Sequence, residues 1–420
     1  MTRQATLAGI FTLVFATATV VRADEVTDWE HIFLNASVTA GTAPFVVTRY
    51  AAILHAAVFD AVNGVNPKYA EVHVAPAAPP GASARAAAVM AAYTALINIY
   101  PAQKATFDAA LPGSLAGIAS GAAAEHSTSI QRGIQWGQNV ASQILAFRAN
   151  DGANAVLPPY TGGSGPGQWI PTPPAFANGV GQAYATVTPW VITAPSQFRP
   201  GPPPLLTSPI YTADFNETKT MGNITSTTRT ADETLYAQFW QNSTVTWFWE
   251  RVAISLSAQQ NYSLSDNAHL LAVLSLAMAD ATIATFDAKY TYSFWRPVTA
   301  IRAADTDGNP ATDQDSTWTP LIVTPAHPEY PSAHSIISSA GTRVLANFFG
   351  ENTSFTVDSS SMAGVTRSFT SFSGATAELK NARVFGGIHF RNSCNVGQAV
   401  GEAVGTYVVE RALLREHGAH

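Results

Sequence analysis

The sequence predicts an all-α protein built of helical bundles, and three observations support this. Long stretches are rich in alanine and place apolar residues at helical spacing, as in RYAAILHAAVFDAVNGV at 49–65. Hydrophobic residues make up 47% of the chain and charged residues only 12%, which indicates extensive burial and excludes a disordered chain. The 420 residues suffice for two lobes or one large helical domain.

Residues 1–23 resemble a secretory signal peptide. Arg3 precedes an apolar stretch at 7–21, and the small residue Ala23 stands before an acidic turn. An N-terminal membrane anchor is the alternative, but the stretch is shorter than the ~20 residues that a span needs. We therefore expect an exported protein, periplasmic or secreted, with no integral membrane span. Its single cysteine, Cys394, cannot form an internal disulfide.

The mature chain is expected to begin with a helical region at 24–156, with helices near 48–65, 83–99, 102–111 and 122–149. Residues 157–230 are then dense in proline and glycine and cannot be helical throughout. Five aromatic residues give this segment anchors that a tether would lack: Trp169, Phe176, Trp190, Phe198 and Tyr211. We predict an ordered connection wrapped over the helices that forms one wall of a site.

The C-terminal helical region is predicted at 231–420, with helices at 231–260, 264–290 and 392–415 and a loop at 351–376. The segment 58–61 resembles 284–288, which suggests two related four-helix bundles from an internal duplication. The alternative interpretation is that alanine-rich helices look alike.

Charge is unusually placed in KYTYSFWRPVTAIR, residues 289–302. The chain has a net charge of −6, which argues against a nucleic-acid partner, and only five lysines. One of these, Lys289, and Arg296 lie in aromatic and apolar surroundings, so an anionic ligand is expected. On a continuous helix they would share one face, roughly 10 Å apart.

Two later stretches extend this pattern. In HPEYPSAHS, Ser332 is predicted to cap a helix that runs from His334 to Phe349, which places free backbone N–H groups beside His334. In NARVFGGIHFRNS, the Gly386 and Gly387 pair predicts a bend that lets Arg383 and His389 converge. Three cations, a hydroxyl, helix-start amides and two histidines are suited to a tetrahedral oxyanion such as phosphate or vanadate.

These three stretches resemble the signature shared by vanadium-dependent haloperoxidases and type 2 phosphatidic acid phosphatases. The signature residues span 289–393, about a quarter of the chain. Two positions depart from the family pattern. The family usually has glycine where Ala333 stands, and aspartate where Ser393 stands, so the carboxylate that would orient His389 is expected to be missing.

The resemblance implies a vanadate or phosphate site formed by Lys289, Arg296, Ser332, the backbone of Ala333, and Arg383. With vanadate as cofactor, His389 is the metal ligand, and His334 is the acid–base group that deprotonates peroxide in a halide-oxidising peroxidase. With a phosphate ester and no cofactor, His389 is the nucleophile of a soluble acid phosphatase, and His334 protonates the leaving alcohol. A non-catalytic anion-binding protein is a third hypothesis, which the presence of both histidines disfavours.

The haloperoxidase is the favoured interpretation, with hydrogen peroxide and halide as substrates and a homodimer as one expected form. By resemblance, His327 occupies a position that is histidine in bromoperoxidases and phenylalanine in a fungal chloroperoxidase type, so it and Phe286 are candidates to line the halide site, with bromide favoured and iodide next. The sequence does not identify the carboxylate that orients His334. The candidates are Asp60, Asp232, Glu250, Asp280 and Asp287.

Overall fold

The computed structural model describes residues 24–120, 123–241 and 244–415, so the predicted signal peptide lies outside the described residues. Helices dominate the part that it describes, as predicted, and two short strands are the other regular elements there. The α-helices are α1 (Glu25–Thr39), α2 (Pro44–Val65), α3 (Ala84–Ile99), α4 (Lys104–Ile118), α5 (Ser127–Arg148), α6 (Pro209–Met221), α7 (Ala231–Phe239), α8 (Val245–Gln259), α9 (Leu264–Tyr292), α10 (Pro297–Arg302), α11 (Ala333–Phe349), α12 (Phe372–Phe385) and α13 (Arg391–Arg411).

Helix α9 is the centre of the molecule. It is buried without interruption from Leu270 to Lys289 and packs against α1, α2, α8, α11 and α13. A helix that is apolar on all sides needs neighbours on all sides, because no face of it is suited to water. The site residues at its C-terminal end are thus carried by the most enclosed element of the fold.

Glycine allows the closest helix contacts in both halves of the molecule. A Cβ atom on Gly137 of α5 would lie 2.3 Å from the carbonyl oxygen of Ala87 in α3. Likewise, a Cβ atom on Gly401 of α13 would lie 2.1 Å from the carbonyl oxygen of Ile336 in α11. These distances leave no room for a side chain, so glycine sets the spacing of α3 to α5 and of α11 to α13.

The connection at 157–230 is ordered, as predicted. The carboxylate of Asp280 on α9 accepts hydrogen bonds from three successive backbone N–H groups, those of residues 190–192, at 2.7–2.8 Å. Trp169 and Tyr211 are buried anchors, whereas Phe176 is 63% exposed and the prediction that it anchors the segment is wrong. The connection also contains α6, which was not predicted because the sequence before it is dense in proline and glycine.

The connection reaches the side chains at the end of α9. The backbone N–H of Val180 donates to the carbonyl of Ala326 at 2.8 Å, and the Tyr290 hydroxyl donates to the Val180 carbonyl at 2.5 Å. Gly181 lies against the ring of Phe286. This contact supports the expected wall beside Phe286.

Several predicted boundaries need correction. The predicted helix at 231–260 is two helices, α7 and α8, and α1 at 25–39 was not predicted. The predicted loop at 351–376 contains an antiparallel hairpin of β1 (Phe355–Asp358) and β2 (Thr366–Phe369), followed by the start of α12. The division at 156/157 and 230/231, and the internal duplication, stay predictions.

Among the described residues, two helices are long and apolar enough to cross a membrane. They are α2 and α9, and 78% and 94% of their most apolar windows are buried inside the protein. Core helices pass the same compositional test as membrane spans, and this burial is what a core helix shows.

Candidate active site

Lys289 lies in the last turn of α9 and is fully buried. Its Nζ donates to the backbone carbonyls of Pro328 and Glu329 at 2.7 and 2.8 Å. Burial, reinforced by the nearby Arg296 charge, lowers the pKa of Lys289 well below its usual value. The two hydrogen bonds hold Nζ at a fixed position, and a neighbouring anion would stabilise its charged form.

The structure does not place Lys289 and Arg296 on one helix, so the predicted same-face spacing is wrong. Helix α9 ends at Tyr292, Ser293 has a left-handed backbone with φ 48°, and Arg296 is the N-cap of α10. The turn brings the guanidinium of Arg296 close to Lys289, so its charge contributes to lowering the pKa of the lysine.

Arg296 joins the segment that carries His327 to the segment that carries His389. Its Nε donates to the His327 carbonyl at 2.9 Å, and one terminal nitrogen donates to the Ile388 carbonyl at 2.9 Å. The same terminal nitrogen lies 3.2 Å from Nε2 of His389. Burial lowers the pKa of Arg296 to about 10, which leaves it charged at neutral pH.

Arg383 comes from α12 and has spare hydrogen-bonding capacity. One terminal nitrogen donates to Oε1 of Gln241 at 3.0 Å, while Nε and the other terminal nitrogen have no partner among the described residues. The side chain is fully buried, and burial lowers its pKa to about 9. A buried guanidinium with two unpartnered donors is costly without an anion, so this arrangement fits an oxyanion ligand. Gln241 was not predicted as a site residue.

Helix α11 begins at the pocket, as predicted. Ser332 is its N-cap and accepts from the N–H of Ser335 at 3.4 Å, and the Ser335 hydroxyl lies 3.1 Å from that of Ser332. The Ser332 hydroxyl is thus occupied in holding the helix start. Ala333 is the first helical residue, and its N–H is among those that an α-helix leaves without an intrahelical partner.

His334 follows at the second helical position. Its Nε2 is sealed from solvent and has no hydrogen-bond partner among the described residues. Burial, with the charges of Arg383 and Lys289, lowers the pKa of His334 well below its usual value. The ring is therefore neutral at pH 7 and able to accept a proton.

None of the carboxylates proposed to orient His334 bonds to it. Each has another partner: Asp60 accepts backbone N–H groups of residues 72–74, Asp232 pairs with Arg367, Glu250 accepts from Ser275, Asp280 binds the connection, and Asp287 pairs with Arg199.

His389 has the carboxylate that its sequence neighbourhood lacks. Oε1 of Glu329 lies 2.7 Å from Nδ1 of His389 and also accepts from the N–H of Phe390 at 3.0 Å. A carboxylate at Nδ1 keeps that nitrogen protonated and leaves the lone pair of Nε2 directed at the site. Expecting no orienting carboxylate because of Ser393 was therefore wrong.

Glu329 was not predicted as a site residue, although it stands inside the HPEYPSAHS stretch. It is the only charged residue between Asp315 and Arg343, apart from histidines, which was a usable signal. It is fully buried, and burial raises its pKa to about 7 against the opposing charges of Lys289 and Arg296.

His327 and Phe286 lie side by side at the edge of the pocket. Their ring centroids are 5.5 Å apart at 65°, and Nδ1 of His327 lies 3.0 Å from a terminal nitrogen of Arg296. The structure thus brings together the predicted residues Lys289, Arg296, Arg383, His327, His334, His389 and Phe286, with Ser332 and Ala333 at the helix start.

Comparison with known proteins agrees with this geometry. Residues 269–416 match the family model described as the VCPO second helical-bundle domain, and this range contains every predicted signature residue. No curated protein matches the chain.

Solved structures of vanadium-dependent peroxidases share the fold. A bacterial vanadium-dependent iodoperoxidase is similar with a TM-score of 0.82 and 26% identity, over 94% of this chain and 97% of that chain. An apo-type bacterial vanadium-dependent chloroperoxidase is similar with a TM-score of 0.71 and 18% identity, over 87% of this chain and 92% of that chain. A holo-type bacterial vanadium-dependent chloroperoxidase is similar with a TM-score of 0.69 and 18% identity, over 94% of each chain.

Proposed function

Because this chain belongs to the superfamily of vanadium haloperoxidases and type 2 phosphatidic acid phosphatases, we propose that it is a vanadium-dependent haloperoxidase using hydrogen peroxide. One observation carries the proposal. Three buried cations surround His389, whose Nε2 is directed at them because Glu329 holds Nδ1. The net reaction would convert halide, hydrogen peroxide and a proton to hypohalous acid and water.

The residues fit vanadate as the cofactor. The unpartnered donors of Arg383, with Lys289, Arg296 and the N–H of Ala333, would hold its oxygens, and Nε2 of His389 would bind the central atom. Vanadate, when bound, supplies a Lewis-acidic centre that activates peroxide toward halide.

His334 would move the proton. Its Nε2 is unpartnered and buried in the pocket, so the lone pair of the neutral ring is available to take a proton from hydrogen peroxide as it enters. The neighbouring cations disfavour a lasting imidazolium, which helps the ring to release the proton to the product water.

The more easily oxidised halides are proposed as substrates. The sequence favours bromide through His327, and the similar protein named an iodoperoxidase adds support for iodide. Phe286 and His327 offer an aromatic edge beside Arg296, which suits a large, weakly hydrated anion better than a small one.

A soluble acid phosphatase is the second candidate, and Glu329 favours it. A histidine nucleophile needs an orienting carboxylate, and the structure supplies one at Nδ1 of His389. The absence of aspartate at position 393 therefore does not argue against a histidine nucleophile.

One assay series on the same apo protein separates them. Orthovanadate should confer peroxide-dependent oxidation of iodide and bromide in excess of chloride, whereas phosphate-ester hydrolysis without vanadate should stay at background. Millimolar phosphate should compete with vanadate, since both are tetrahedral anions. Efficient ester hydrolysis with no halide oxidation would establish the phosphatase instead.

The two histidines should behave differently. His334→Ala should keep vanadate affinity and lose ~100-fold or more in halide oxidation, the usual worth of positioned acid–base catalysis. His389→Ala should lose tight vanadate binding. His126→Ala, an exposed histidine outside the pocket, is the control and should change neither. Parallel loss of binding and rate in His334→Ala would contradict this division of roles.

We also propose export to the periplasm or exterior, supported by the leader pattern at 1–23. Fusing this segment to a cytoplasmic reporter enzyme tests it, and a reporter retained in the cytoplasm would argue against export.

A further inference from the structure

A second cluster of potential ligands lies in the helical core, apart from the anion pocket. Glu30 of α1, His55 of α2 and Glu250 of α8 each offer one ligand atom, and these atoms all lie within 4.8 Å of one another. Ser275 of α9 donates to Oε1 of Glu250 at 2.8 Å. Four different helices thus meet at one polar point.

This cluster is sealed from solvent. Glu30 and Glu250 are 0% exposed and His55 is 2% exposed. Among the described residues no lysine or arginine pairs with either glutamate, and the one ion-pair contact is Nε2 of His55 to Oε2 of Glu30 at 2.6 Å. Two carboxylates buried without a full countercharge are strongly unfavourable, so the cluster must take up protons or a cation.

The polar atoms of the cluster are incompletely paired, which points to a ligand. Nδ1 of His55 is buried and has no hydrogen-bond partner among the described residues. The carboxyls of Glu30 and Glu250 are in hydrogen-bond contact with each other, which needs a shared proton, because neither carboxylate can donate. Buried polar atoms are nearly always paired in folded proteins, so an unpartnered imidazole nitrogen beside two carboxyls that can pair only by sharing a proton is unusual. A single cation bound between the side chains would satisfy carboxylate oxygens and an imidazole nitrogen together.

We propose that Glu30, His55 and Glu250 bind a divalent transition-metal ion that joins α1, α2 and α8 inside the bundle. Two carboxylates and one neutral imidazole neutralise a divalent cation, which leaves no net charge in the core. Zn²⁺ accepts this mixture of nitrogen and oxygen ligands, and Mn²⁺ and Fe²⁺ are the nearest alternatives. The Ser275 hydroxyl orients Glu250 as an outer hydrogen-bond donor.

The geometry requires a small rearrangement on binding. Ligand atoms around a tetrahedral ion with bonds of about 2 Å are roughly 3.3 Å apart. The His55 to Glu30 hydrogen bond must therefore open while the other ligand atoms draw together. Burial raises the pKa of Glu30 to about 8 and that of Glu250 well above its usual value, so the metal would displace protons that the empty cluster holds.

Metal analysis of the whole protein tests the proposal. The protein is expressed with Zn²⁺, Mn²⁺ and Fe²⁺ available, washed with chelator, and its metal content is measured by mass spectrometry. We expect one retained ion per chain in the wild type, none in Glu250→Gln, and full retention in the exposed Glu402→Gln control. His389→Ala should retain this ion although it loses vanadate, because the two sites are separate.

If Glu250→Gln fails to fold, a second measurement on the wild-type protein still tests the proposal. Wild-type protein is unfolded in denaturant with chelator and refolded with or without each metal, since the enclosed cluster has no evident entry path in the folded state. Metal should raise the melting temperature by roughly 5 °C. A wild type that carries no ion as expressed, and refolds to the same melting temperature with every metal, would overturn the proposal and identify the cluster as a proton-sharing carboxyl pair.

Discussion

Glu329 and His389 form the most informative pair of residues in the pocket. Their 2.7 Å contact fixes the tautomer of His389, and the Phe390 N–H fixes the carboxylate in turn. Ser393 lies beside Glu329, and its backbone carbonyl accepts from the N–H of Ser332. One small region thus connects the ring of His389 to the start of α11.

Replacing Glu329 with glutamine tests this connection. Glu329→Gln preserves shape but removes the charge that holds Nδ1 of His389, so vanadate affinity should fall about 10- to 100-fold. Ser393→Asp alone should also be harmful, because it places a second carboxylate beside Glu329. The double variant should recover much of the affinity. Titration of vanadate into all four proteins measures the coupling, and strictly additive losses would contradict it.

Residue identities in the pocket were predictable because charge is scarce in this chain. Lys289, Arg296, Arg383, His334 and His389 all converge, although Lys289 and Arg296 meet across a turn and not along one helix face as their spacing suggested. Partners were harder to predict. Glu329 reaches His389 across 60 positions, and Gln241 reaches Arg383 across 142. Such pairs depend on how the helices cross, which spacing along one segment does not encode.

At the scale of elements, α11 and α13 determine the separation of the two histidines. His334 stands in the first turn of α11, and His389 lies two residues before the start of α13. Gly397, Gly401 and Gly405 repeat every fourth residue along the face of α13 that meets α11. The backbones of α11 and α13 approach closely there, so a small displacement at this contact should move His334 relative to His389.

Gly401→Ala should therefore affect both stability and activity. The new Cβ would meet backbone rather than a movable side chain, and we expect a loss of about 1–3 kcal/mol in the free energy of unfolding. Halide oxidation should fall with it as α11 shifts. Gly113→Ala in α4, where a Cβ meets nothing within 4 Å, is the matched control and should be neutral or slightly stabilising. Chemical denaturation with activity measurements checks both variants.

Helices with clear apolar periodicity, such as α2 and α11, were predicted to within a few residues. Elements bounded by polar or proline-rich sequence were not. The hairpin of β1 and β2 is short and gains its stability from packing on α8, and α6 starts at a proline inside the connection. Their formation depends on tertiary contacts that a local pattern does not show.

At the scale of the whole molecule, a partly buried histidine that stays neutral in the folded state makes stability depend on pH. His269 on α9 stacks on Tyr69 with ring centroids 3.9 Å apart, and its Nε2 lies 3.1 Å from the Leu413 carbonyl. Burial lowers its pKa to about 4. The unfolded chain binds this proton below about pH 6.5 and the folded chain does not, so stability should fall as pH drops from 6.5 toward 4.

His269→Gln tests this effect, since glutamine can still donate to Leu413 but does not titrate. The variant should start from a lower melting temperature at pH 7, because the stacking is lost, yet lose less on acidification. Between pH 6.5 and 4, the wild type should lose at most about 3 kcal/mol more of its free energy of unfolding than His269→Gln loses. His126→Gln on the surface should follow the wild type. Equal slopes for all three proteins would show that other groups govern acid sensitivity.

The attachment of the connection to Asp280 has a consequence for synthesis on the ribosome. Residues 190–192 are made about 90 positions before the carboxylate that binds them. At roughly 5–20 residues per second, the nascent connection waits several seconds for its partner. Arg383 and His389 emerge later still, after the rest of the pocket. A nascent chain that stalls before α12 therefore exposes Lys289 and Arg296 without the residues that should face them, and such a chain is a natural substrate for chaperones.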